Sequence, residues 1–169
     1  MRRLYFIIAI IFLIHITCNE NVKTNNSSKK FSDSINNYKF SPPSKLSSLS
    51  VDFRIRNDFF DWYELGVFVD GFEDLRTLNP KGALVFIEEL QVKSNKLSNS
   101  VFPKKFDIPD IKSRLKVVQT MLMLCEYHSK KRDWKKLDSS FQKLYMSYNS
   151  FANRLISISE EADLFIDQD

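Results

Sequence analysis

Met121, Cys125 and His128 are the three residues whose types and spacing come nearest to a chemical site. They stand at i, i+4 and i+7, so a helix places them on one face. Thioether, thiol and imidazole are soft or borderline ligands of the kind that hold Cu(I). A periplasmic copper-binding or copper-sensing role is therefore one expectation. The competing expectation is that Met121 and Cys125 are ordinary core residues and that His128 sits near a helix end where a cation is favoured.

Other catalytic arrangements are missing their parts. A di-metal carboxylate centre needs Glu-x-x-His on two helices, but Glu126 is two positions from His128. The sequence has no Cys-x-x-Cys-His for covalent haem and no Gly-rich phosphate loop. Asp58, Asp61, Glu64, Asp70, Glu73 and Asp74, with Glu88 and Glu89 further on, read as a solvated acidic face rather than paired acid–base carboxylates. No enzyme activity and no cofactor are expected. Lys130, Lys131, Arg132, Lys135 and Lys136 form a basic cluster that complements a helix C-terminus; contact with anionic lipid is the functional alternative. The net charge is +4 and falls by two if Arg2 and Arg3 are removed, so nucleic acid is not an expected partner. Phe59, Phe60, Trp62 and Tyr63 place four aromatics in five positions. One helix face cannot bury them all, which makes them a candidate partner patch.

The N-terminal region supplies an address. Arg2 and Arg3 precede the apolar run Leu4–Ile14, which has the length of a secretory signal and is short for a membrane span. His15-Ile16-Thr17-Cys18 resembles the lipobox of bacterial lipoproteins, with His15 where Leu is usual. That resemblance implies a signal peptide over 1–17, diacylglycerol on Cys18 and a further acyl chain, such as palmitate, on the new N-terminus. Two or three chains anchor durably where one is marginal. Residues 18–50 are rich in Ser and Asn and carry Pro42-Pro43, so they read as the lipid attachment site and a disordered tether. Tyr38, Phe40 and Leu46 are able to dock locally. Asp33-Ser34-Ile35 resembles the short O-glycosylation acceptor of Bacteroidota, which would place a glycan on Ser34. Phe102-Pro103-Lys104-Lys105-Phe106-Asp107 followed by Ile111-Lys112-Ser113-Arg114-Leu115 resembles, in texture, small helical lipoproteins of Bacteroidota that have no assigned activity.

Residues 51–169 must then carry the domain. Three Gly and five Pro leave room for long helices, and 43% hydrophobic residues suffice for one core. The three-and-four spacing predicts four helices. The first runs over 58–78 with Trp62, Leu65, Val69, Phe72 and Leu75 on its face, capped by Asn57 or Asp58. The second spans 80–98, with Pro80 opening it and a polar second half liable to fray. The third is capped by Asp107 and carries the seam Ile111, Leu115, Val118, Leu122 and Cys125. The fourth is capped by Asp133 and carries Trp134, Leu137, Phe141, Leu144, Tyr148, Phe151, Leu155 and Ile158. The expected fold is an all-α, antiparallel four-helix bundle, with a third–fourth helix hairpin crossed by the first as the alternative. The expected role is that of an envelope lipoprotein facing the periplasm or cell surface, membrane-bound through its lipid and binding or scaffolding another envelope protein.

Overall fold

The longest run of three-and-four spacing becomes the longest helix. It is a 33-residue element, Trp134–Ile166, about 50 Å long at 1.5 Å per residue. The computed structural model describes residues 37–42, 44–57, 61–77 and 80–166, with backbone alone at 76–77, 80–81 and 162–166. The expected signal segment, Cys18 and Ser34 lie outside the described residues. Those described form an all-helical fold: α1 (Val51–Arg56), α2 (Tyr63–Thr77), α3 (Pro80–Asn99), α4 (Pro109–Lys130) and α5 (Trp134–Ile166). Among them, no helix is long and apolar enough to cross a membrane.

The four long helices run alternately down and up. Gly71 of α2 abuts Leu90 and Lys93 of α3, where an added Cβ would lie 2.9 Å from Leu90 Cδ2. Gln91 of α3 donates to Glu126 of α4 at 3.0 Å, and Gln119 reaches back to the Ser94 carbonyl at 3.2 Å. Asp110 in the first turn of α4 takes bonds from Arg114 at 2.8 Å and from Arg154 of α5 at 2.7 Å. Those two guanidinium contacts, Arg154 first, hold its carboxyl below the usual carboxylate range. The seams expected of the third and fourth helices are buried at every position named above.

The circuit closes between α2 and α5 through rings. Phe72 stacks on Tyr148 with centroids 4.2 Å apart, and Phe68 meets Phe151 edge-on at 6.1 Å. The Tyr148 hydroxyl is buried with no hydrogen-bond partner. Ring area therefore outweighs an orphaned polar group here, since aromatics of this size bury far more apolar surface than one hydroxyl costs.

Four local features differ from expectation. Residues 38–42 and 44–50, read as the end of the tether, lie along α5 and bury Leu46 and Leu49 in the core. Side-chain amides on α5 substitute for a neighbouring strand. Asn149 accepts the Ser47 N–H and donates to the Lys45 carbonyl, both at 2.7 Å, while Gln142 accepts from the Ser44 hydroxyl at 2.9 Å and donates to the Pro42 carbonyl at 3.1 Å. A separate helix, α1, follows, capped by the Ser50 hydroxyl on Phe53 N–H at 3.1 Å. Asn57 does not cap α2; it is the C-cap of α1. Ile108, not Asp107, is the N-cap of α4, because Pro109 opens the helix and Asp107 pairs with Lys112 instead. The second half of α3 does not fray: Ser94 and Leu97 are both buried.

Asp133 does cap α5, accepting the Lys136 N–H at 3.1 Å. The α4–α5 turn closes with Arg132 N–H on the Ser129 carbonyl (2.9 Å) and Asp133 N–H on the His128 carbonyl (3.0 Å). This is the two-bond helix ending that normally places Gly in the left-handed position; here Arg132 occupies it at φ 58°.

Replacing Asn149 by Ala strips two backbone groups of the strap of their partners. It should lower unfolding free energy by about 1–2 kcal/mol, measured by urea denaturation, and raise hydrogen exchange at Ser47. An unchanged midpoint would mean that the strap contributes nothing to the bundle.

Candidate interaction groove

The short helix α1 explains why an apolar groove opens on the surface. Phe53 turns into the core, 5% exposed, and pins α1 beside Leu46 and Leu49. Val51 and Ile55, one helical turn apart, are then forced onto the other side. They remain 70% and 56% exposed. Across from them, α2 presents Tyr63, Gly66, Val67 and Asp70. Arg54 holds the two helices together through Asp70 at 2.8 Å and its Nε bond to the Leu49 carbonyl at 3.2 Å. Exposed pairs of this kind add little stability, so Phe53 does most of the positioning. The resulting groove is open to solvent, encloses ≈ 360 Å³ and is lined mainly by apolar atoms.

Gly66 is the informative residue in its wall. A glycine inside a helix costs roughly 0.5–1 kcal/mol relative to Ala. At Gly71 that cost has a packing reason, the close approach of α3. At Gly66 a Cβ would meet nothing within 4 Å. A side chain there would therefore enter open space in the groove rather than the packed core. Tyr63, 72% exposed, stands as a ridge beside it; on its other flank lies a smaller hollow between α2 and α3, lined by Tyr63, Val67, Val92 and Lys96 among others.

The expected aromatic patch is therefore divided. Trp62 is corrected from patch to core: it is 1% exposed, stacks on Phe106 at 5.7 Å and donates from Nε1 to Ser100 at 3.0 Å. Tyr63 is the exposed member. Phe59 and Phe60 lie outside the described residues. Val51, Ile55, Gly66 and Val67 were not singled out from sequence. The available signal was Ser50-Val51-Asp52-Phe53, a capping residue leading into apolar positions that α1 divides between two faces.

The buried polar cluster at the end of α1 is structural. Asn57, 4% exposed, accepts from Ser159 at 2.7 Å and from Lys105 at 2.5 Å, and donates to the Phe53 carbonyl at 2.7 Å. It ties α1, the α3–α4 loop and the far end of α5 together.

Met121, Cys125 and His128 all fall on α4. Cys125 is fully buried, and burial pushes its thiol up to about 12, far from the thiolate that binds metal. The same burial, with Cys125 close by, pushes the Tyr145 phenol up to about 12. Met121 and His128 are half-buried, and the His128 ring packs edge-on against Tyr127 at 5.2 Å. Among the described residues no group of three or more His, Cys, Asp or Glu side chains is placed to hold a metal ion. Comparison with known proteins adds no constraint: no family, curated protein or solved structure matches the chain.

Cys125 should be inert to a thiol reagent at pH 8 in the folded protein and react at once in denaturant. Fast labelling of the native state would place the thiol in an accessible, ionised environment and reopen the soft-metal assignment.

Proposed function

We propose that the protein is an envelope lipoprotein, held to a membrane by acyl chains on Cys18, whose helical domain works by binding an apolar segment of another envelope protein rather than by catalysis. The observation that carries the binding role is the groove between α1 and α2. Its exposed Val51, Ile55 and Tyr63 are held out by the internal fold of α1 and α2, and Gly66 sits in its wall. A large apolar surface of this sort is where partners dock. The acidic rim of Asp70 and Glu73, already engaged by Arg54, favours a segment with apolar anchors and few acids of its own.

The lipid assignment rests on the sequence around Cys18. Nineteen residues, Asn19–Asn37, join that cysteine to the first residue of the domain; fully extended they span at most about 65 Å. Lipidation also leaves Cys125 without a disulfide partner, in keeping with its place in the core.

Two measurements follow. Mass spectrometry of the mature N-terminal peptide should find Cys18 acylated and residues 1–17 gone; an intact Met1 or unmodified Cys18 would end the lipoprotein assignment. Tyr63→Asp and Gly66→Leu should each leave the melting temperature within a few degrees of wild type. Each should also abolish the crosslinked adduct formed from a photoreactive residue at Ile55 in intact envelopes. Adducts that persist in both variants, or a wild-type protein that crosslinks to nothing, would remove the groove as the binding site.

A further inference from the structure

The chain enters its domain at one particular end of the bundle. Ser41 donates to Asp138 twice, from its N–H at 3.0 Å and its hydroxyl at 2.8 Å. Asp138 lies just inside α5, beside the α4–α5 turn. Tyr38 packs on Phe40 with centroids 4.8 Å apart, and burial, then the Asp138 and Asp133 carboxylates, push its phenol above the usual tyrosine range. The strap then climbs α5 to Asn57, which bonds Ser159. Those two anchor points on α5 are 21 residues apart, about 30 Å along the helix. Any N-terminal attachment therefore holds the domain by the end opposite to Asn57.

That same end carries the basic cluster. Lys39, Lys130, Lys131, Arg132, Lys135 and Lys136 are all exposed. Glu126 takes up Lys130, Asp133 takes up Lys136 at 3.1 Å, and Asp138 is occupied by Ser41. Lys131 leans over the ring of Tyr127 at 5.9 Å, and that ring is 54% exposed, an amphipathic side chain of the type that settles at a headgroup boundary. Arg132 holds the left-handed position where Gly would be unstrained, so a cation is kept at the tip of the turn against the preference of its backbone.

We infer that the α4–α5 turn and Lys39 form a membrane-contact face, whose Lys131 and Lys135 side chains bind the phosphates of anionic lipid headgroups. This rests on the lipid-anchor assignment and adds to it. Acyl chains limit how far the domain can travel from the bilayer but leave it free to tumble. A basic face beside the attachment point orients it, and so turns the Asn57 end away from the bilayer. The partner is a lipid surface rather than nucleic acid because the cations are gathered at the point of attachment.

The test uses the chain from Asn19, which lacks the lipid and keeps the whole described core within 38–169. It is mixed with sedimentable vesicles of phosphatidylcholine alone or with added phosphatidylglycerol. Each cation near a charged surface is worth about fivefold in binding. The expected result is partitioning about tenfold or more stronger onto the anionic vesicles, lost in about 0.5 M salt, where charges are screened within a few ångströms. Lys131→Glu with Lys135→Glu should remove that preference. Lys104→Glu with Lys116→Glu, which changes net charge equally away from this face, should leave it. Equal binding to both vesicle types, or equal loss in the two double variants, overturns the proposal. Either result leaves the lipid on Cys18 standing, since the mass of the N-terminal peptide is read separately.

Discussion

The contact between α2 and α5 is the constraint on which the remaining structure rests. The other helix pairs are joined by short turns and meet as sequence neighbours. The first and last long helices have no such link, and four rings join them: Phe68 and Phe72 from one side, Tyr148 and Phe151 from the other. Rings this large span a wider gap than aliphatic side chains, and the seam between the two helices needs a cover. The strap of residues 38–50 and α1 supply it with Leu46, Leu49 and Phe53. Because the strap is bound from Asp138 to Asn149 and α1 ends on Ser159 through Asn57, the chain's path along α5 is fixed in direction. The position of the domain's N-terminal entry and the position of the groove both follow from that one path.

The long helices were legible because their cores obey a single rule. The seam from Ile111 to Cys125 and the run from Trp134 to Ile158 repeat every three or four residues, and each such position is buried. The strap was not legible, because few of its residues are apolar and much of its hold on the domain is polar. Ser41, Ser44 and Ser47 look like linker composition, and their partners Asp138, Gln142 and Asn149 occupy the side of α5 away from its seam. No periodicity links residues a hundred positions apart. Helix α1 escaped notice for a related reason: six residues give too few turns for a periodic signal, and only Phe53 among its apolar residues points inward. Since α1 forms one wall of the groove, missing it meant missing the site. The four aromatics of 59–63 include one residue of the groove wall, but composition could not say that Trp62 turns inward to Phe106 while Tyr63 turns out.

The soft-metal candidates show the reverse situation, in which spacing places three residues on one helix while the core claims one of them. Met121, Cys125 and His128 do share the predicted helix, yet Cys125 belongs to the same seam as Leu122. A thiol that the core keeps protonated serves packing. Arg132 is the opposite case. Its left-handed backbone is a local cost at a turn where Gly would serve, so here local backbone preference does not predict the residue. With the groove and the Asn57 cluster toward one end of α5 and the basic turn at the other, the two ends of the domain differ in chemistry, a polarity on which the proposed membrane orientation rests.

That polarity is open to direct measurement on the lipidated protein reconstituted in vesicles. An environment-sensitive fluorophore is attached in turn to Lys135→Cys and to Tyr63→Cys, Cys125 being buried and Cys18 acylated, and quenching by brominated lipids is recorded. The label at position 135 should be quenched in bilayers containing anionic lipid, and the label at position 63 should remain in water. Quenching of the label at 63, or of neither label, would contradict the orientation on which this account of the protein depends.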